Sequence, residues 1–112
     1  MSRGDAAEAL AAEFLEARGL RIVARNYRCK FGEIDLVARS GATLVFVEVR
    51  ARTSDAFGGA AGSITRTKRR RLVAAARHYL ARYGADSACR FDAVLLSGGA
   101  RRIEWITDAF GE

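Results

Sequence analysis

Proline is absent from the chain, cysteine occurs twice, lysine twice and histidine once. Without proline, element ends must be read from glycine and from short polar residues. Cys29 and Cys89 make no disulfide framework and lack zinc-ligand spacing, so both thiols are expected to be reduced. With His78 as the sole histidine, no Ser-His-Asp set can be assembled. Apolar runs such as residues 44–47 fall far short of the ~18 needed to cross a membrane. The first ten residues carry acids and no apolar signal core, so a cytoplasmic protein away from membranes is expected.

What remains is enough for one folded domain over residues 1–112. The chain is 50% hydrophobic, too apolar for disorder and long enough to bury a core without a metal or disulfide. Its formal net charge is +6, with 19 basic residues against 13 acidic, and that excess suits a polyanionic partner. Nearly all the basic residues are arginine, which a GC-rich genome also favours, so the placement of the charge matters more than its sum.

Local patterns predict the order α, three strands, α, two strands. Residues 5–18 read as a helix with Asp5 as N-cap, Gly19 as the residue past its C-terminus, and Ala7, Leu10, Phe14 and Ala17 on one face. Strands are predicted over residues 20–27, 33–38 and 43–50, separated by turns at 30–32 and 40–41. The third is apolar on both faces and therefore central to its sheet. Residues 53–62, rich in glycine, read as a loop. A second helix follows from residue 63 or 65 to Tyr83, with Leu72, Ala76, Tyr79, Leu80 and Tyr83 as its buried stripe. Strands over 89–96 and 102–107, joined at a glycine turn, complete a mixed α/β sheet flanked by helices.

Charged residues inside these strands stand out. Glu33 and Asp35 alternate with Ile34 and Leu36, and Glu48 and Arg50 alternate with Val47 and Val49. Unpaired charge in a sheet core costs several kcal/mol, so such acids need a partner or a metal. If the second and third strands form a hairpin, the carboxylates of Asp35 and Glu48 converge. Paired carboxylates completed by water and a substrate phosphate are a common way to hold Mg²⁺. Arg50 would emerge beside them, able to meet a phosphate. An ion-pair cluster of Glu48 or Asp35 with Arg50 or Arg52 is the alternative and needs no metal.

Arg66, Lys68, Arg69, Arg70 and Arg71 crowd the start of the second helix, where positive charge opposes the helix dipole. Phosphate contact would account for that arrangement, and a solvated helix face is the ordinary alternative. Arg28 and Lys30 in the first hairpin could extend the basic footprint, and the glycine-rich loop could close over a bound strand. Asp5-Ala6-Ala7-Glu8 has the spacing of a capping box. Asp92 lies in an apolar strand and reads as a buried, paired acid between core residues Phe91 and Val94. Tyr27, Tyr79, Tyr83 and Trp105 read as core, and His78 as a half-buried helix residue.

Residues 32–38, Gly-Glu-Ile-Asp-Leu-Val-Ala, and 45–52, Val-Phe-Val-Glu-Val-Arg-Ala-Arg, together resemble the signature of the bacterial YraN family. Arg25-Asn26-Tyr27-Arg28, Lys68 and Arg90-Phe91-Asp92 match as well. The likeness implies a restriction-endonuclease-like fold and, by analogy with archaeal Holliday-junction resolvases, a Mg²⁺- or Mn²⁺-dependent endonuclease. Its substrate would be DNA rather than RNA, with branched or damaged DNA among the candidates. It assigns metal binding to Asp35 and Glu48, with Glu8 and Glu33 in supporting positions, and implies a two-fold dimer. Arg50 departs from the pattern, which has lysine at that position. Arginine cannot act as a base but can stabilise charge in the transition state. A nuclease-fold binding module without catalysis and a protein-interaction adaptor are the competing readings.

Overall fold

The computed structural model describes residues 3–51, 65–83, 88–98 and 101–110, with side chains from residue 6 onward. The predicted loop 53–62 and Arg52 lie outside the described residues. The elements follow the expected order: α1 (Arg3–Ala17), β1 (Arg21–Cys29), β2 (Gly32–Ser40), β3 (Thr43–Ala51), α2 (Arg66–Tyr83), β4 (Cys89–Ser97) and β5 (Arg102–Phe110). Among the described residues no helix is long and apolar enough to cross a membrane.

The five strands form one mixed sheet in the order β1-β2-β3-β4-β5. β1, β2 and β3 are antiparallel neighbours, β3 and β4 are parallel, and β5 returns antiparallel to β4. The parallel step needs a crossover, which α2 supplies. β3 is the middle strand, and its alternate residues enter different layers. Leu44 and Phe46 pack with Leu72, Ala75, Ala76 and Tyr79 of α2. Val45, Val47 and Val49 pack with Ala7, Ala11, Ala12 and Leu15 of α1. The chain is thus an α/β domain with one helix on each face of the sheet.

The α1 stripe differs from the predicted one. Leu10 is exposed and Phe14 only half-buried, whereas Ala11, Ala12 and Leu15 are fully covered. Alanines let the helix axis approach the sheet closely, and the Arg18 guanidinium covers the displaced Phe14 ring at 3.5 Å. The helix also begins at Arg3, so Asp5 lies inside it rather than at its N-cap. Its other end follows expectation. Gly19, at φ +93°, lets its own amide reach the Glu16 carbonyl at 3.0 Å and the Leu20 amide reach that of Leu15 at 3.1 Å.

α2 begins after Thr65, whose Oγ1 accepts the Lys68 amide at 3.2 Å and caps the helix. Its buried stripe is Leu72, Ala75, Ala76 and Tyr79. Tyr83, expected in that stripe, is 57% exposed, because it lies at the last residue of the helix. Gly32 brings the β1–β2 turn against this helix: a Cβ there would meet the Arg71 carbonyl oxygen at 3.1 Å.

Candidate functional site

The β2–β3 ladder runs from Ser40↔Thr43 to Leu36↔Val47. Beyond that pair the backbone of β2 changes face: Ile34 packs in the α2 layer and Leu36 in the α1 layer, although they are two residues apart. Strict alternation would put them together, so the strand is locally twisted at Asp35. The Asp35 carboxylate takes up an amide of β3 there, its Oδ2 accepting from Val49 N at 2.8 Å. The strands therefore separate where the acids begin.

Four acids meet at this point. Oxygens of Glu8, Glu33 and Asp35 all lie within 4.8 Å of one another. Glu48, on the β3 side, adds its charge to that of Asp35. Two adjoining lobes of a cleft, about 400 and 390 Å³, share Glu33, Asp35, Glu48 and Lys68 in their walls. Each lobe is of a size to admit a nucleotide-sized group. One continues toward Arg28, Cys29, Gly32 and Arg71, and the other toward Glu8, Arg50 and Ala51.

Cations flank the acids, Arg28 Nε lying 3.6 Å from Glu33 Oε2. The Lys68 ammonium donates to Glu48 Oε1 at 3.2 Å, and Arg50 Nε lies 3.3 Å from the same oxygen. Among the described residues, the buried Arg50 Nε finds no aligned hydrogen-bond acceptor. Glu48 itself is buried, with 8% exposure. Its pKa is raised by burial against the opposing pull of Arg50. Asp35 is pushed up to about 7, chiefly by burial and by the charge of Glu48, with smaller contributions from Glu8 and Glu33; the Val49 amide works the other way. The acids thus outweigh the cations around Asp35. A hard divalent cation with oxygen ligands fits such a donor set, since it would relieve the repulsion among carboxylates.

The expected residues come together in part. Asp35, Glu48 and Arg50 are adjacent, and Glu33 joins them from the same strand. Glu8 lies past the first turn of α1 and belongs to the acid group, not to a capping box. Lys68 and Arg71, three residues apart on one face of α2, both reach the cleft wall. The rest of the basic run disperses: Arg66 and Arg70 are exposed, and the Arg69 guanidinium lies 5.6 Å from the Phe110 ring centre. The Lys68–Glu48 contact joins residues 20 apart in sequence, which no local spacing signals. Arg90-Phe91-Asp92 is structural. Asp92 has no exposure and accepts from Arg90 Nε at 3.0 Å, from Trp105 Nε1 at 2.9 Å and from the Asp108 amide at 2.9 Å.

The acid-bearing segments lie within the stretch that matches a family model. Residues 7–96 fit the model of the uncharacterised protein family UPF0102. A UPF0102 protein of Nitrosomonas europaea is 56% identical over 112 residues, spanning 99% of this chain and 95% of the relative. One from Methylobacillus flagellatus is 59% identical over 108 residues, with 96% and 95% covered. One from Nitrosospira multiformis is 58% identical over 109 residues, with 96% and 92% covered. The chain belongs to the UPF0102 family, which is the YraN family that its motifs resemble.

Proposed function

We propose that this protein is a divalent-cation-dependent endonuclease of the restriction-endonuclease-like type, hydrolysing phosphodiester bonds in DNA. The observation that carries the reading is the gathering of Glu8, Glu33, Asp35 and Glu48 where β2 and β3 part, in a cleft walled by Lys68 and Arg71. Acids that repel one another in a half-buried site are an unfavourable arrangement without a cation, and basic residues beside them favour a phosphate ligand.

Asp35 and Glu48 would hold the ion, with Glu33 and Glu8 within reach of the same position. Mg²⁺ or Mn²⁺ bound there would polarise a phosphodiester and make water a stronger nucleophile. The side chains have separate tasks. Val49 fixes the Asp35 carboxylate through its amide. Lys68 and Arg50 pair with Glu48 and would present positive charge to the phosphate as negative charge accumulates. Arg50 stays protonated, so it orients and neutralises but does not remove a proton. Branched or damaged DNA and a two-fold dimer, which would place two clefts on two strands, belong to the same reading.

A second reading, a nuclease-fold binding module without catalysis, is favoured by one feature. Glu48 Oε1 already has two cationic neighbours, at 3.2 and 3.3 Å, one of them the arginine that stands where the family pattern has lysine. A cleavage assay separates the two. The protein is incubated with linear, flapped, looped and four-way DNA and with RNA, in Mg²⁺, Mn²⁺ or EDTA. Metal-dependent cutting abolished by Asp35→Ala and Glu48→Ala is expected. Binding without cutting in every metal would leave the binding module, and the absence of any nucleic-acid binding would sink both in favour of a protein partner.

A further inference from the structure

Of the described residues, the large apolar side chains that stand exposed are Leu10, Phe31 and Tyr83, and two of these end one continuous row of rings. Phe31, in the β1–β2 turn, lies 6.0 Å from the His78 ring centre. His78 lies 5.9 Å from Tyr27, and Tyr27 lies 6.3 Å from Tyr83. Tyr27 and His78 share a hydrogen bond of 2.5 Å that ties the hairpin to α2 and fixes the middle of the row. Phe31 is 47% and Tyr83 57% exposed, so the two end rings are open while the centre is anchored.

Both open rings carry a cation. The Lys30 ammonium lies 5.2 Å from the Phe31 centre and the Arg82 guanidinium 5.7 Å from that of Tyr83. Phe31 also adjoins the cleft, because the residues on either side of its turn, Cys29 and Gly32, line the lobe that holds the acids. Exposed aromatic faces alternating with positive charge suit unstacked bases on a phosphate backbone. A paired duplex offers no free base face to such rings.

We propose that this row is a stacking platform for an unpaired nucleic-acid strand, with bases on Phe31 and Tyr83 and phosphates on Lys30 and Arg82, leading a single-stranded segment into the acidic cleft. The inference rests on the nucleic-acid reading above and narrows its substrate to DNA with an unpaired portion. Charge complementarity is what selects this occupant, since an apolar protein surface would leave the cations over the rings unmatched.

The test is fluorescence anisotropy in EDTA, with labelled oligothymidine and a labelled duplex of the same length, titrated with the wild type and with Phe31→Ala/Tyr83→Ala. The expected result is tighter binding of the single strand and a loss of about tenfold or more for it in the double variant. Duplex affinity and the salt dependence should stay near those of the wild type. Phe31→Trp/Tyr83→Trp should restore single-strand binding, and circular dichroism verifies the fold of each variant. Equal loss for both ligands, or no loss for either, overturns the platform while leaving nucleic-acid binding intact. Conversion of a dimer to a monomer by the alanine variant, with single-strand affinity unchanged, overturns it in favour of an interface between copies. Stacking-dependent single-strand binding in a protein whose cleavage is absent would support the platform and remove the nuclease.

Discussion

The carboxylate of Asp35 accepts the Val49 amide at 2.8 Å, immediately beyond the last β2–β3 pair, Leu36↔Val47. One side chain thereby closes the end of the ladder and projects negative charge into the cleft. Structure and chemistry compete at this residue, and different substitutions separate them.

Asp35→Asn keeps an oxygen for Val49 and removes a charge that Glu8, Glu33 and Glu48 oppose. It should abolish cleavage yet leave the metal-free protein as stable as the wild type or more so. Asp35→Ala leaves the Val49 amide without its acceptor and should cost about 1–2 kcal/mol in urea denaturation. Equal stability of the two variants would show that the bond contributes little.

Because its pKa is raised to about 7, metal-free Asp35 binds a proton in the folded protein between about pH 4 and 7 that the unfolded chain releases. Folding stability should therefore fall as pH rises through that window. Mn²⁺ should reverse the trend, and its affinity should rise with pH up to about 7, because binding expels the proton. Calorimetric titration at several pH values checks this, and an affinity independent of pH would exclude Asp35 as a ligand.

Lys68 and Arg50 share Glu48 Oε1, so their roles can be exchanged. Arg50→Lys should preserve or raise cleavage, since a smaller ammonium satisfies the same acid and matches the family pattern. Lys68→Ala should lower it by roughly 10²-fold, with a smaller effect on folding because Arg50 remains. An inactive Arg50→Lys protein would count against a lysine-like role for that position.

Asp92 belongs to the core and not to the cleft. Its carboxylate is fully buried between Arg90, Trp105 Nε1 and the Asp108 amide, and it holds the irregular end of β5, where Asp108 adopts φ +51°. Asp92→Ala would strand a half-buried arginine and two donors, and a loss of roughly 3–5 kcal/mol is expected. Thermal unfolding measures it, and nucleic-acid binding by the fraction that remains folded should be unchanged.

Much of this was written in local pattern. The apolar character of both faces of residues 43–50 placed β3 at the centre of the sheet. Gly19 announced the end of α1, and the acids at Asp35 and Glu48 were out of place in strands that otherwise bury apolar side chains. Each is a statement about neighbours in the chain, where a period of two or 3.6 residues is readable. Three-dimensional packing decided the rest. It set the small-residue stripe of α1 against the sheet, with Phe14 at its margin and Leu10 outside it, and it brought Glu8 to Glu33 and Asp35. It also carried Lys68 to Glu48 and left Phe31 and Tyr83 open at the ends of one ring row. Spacing along a chain tells which side chains share a face, but not which distant face will cover them, because that depends on how closely two surfaces can approach.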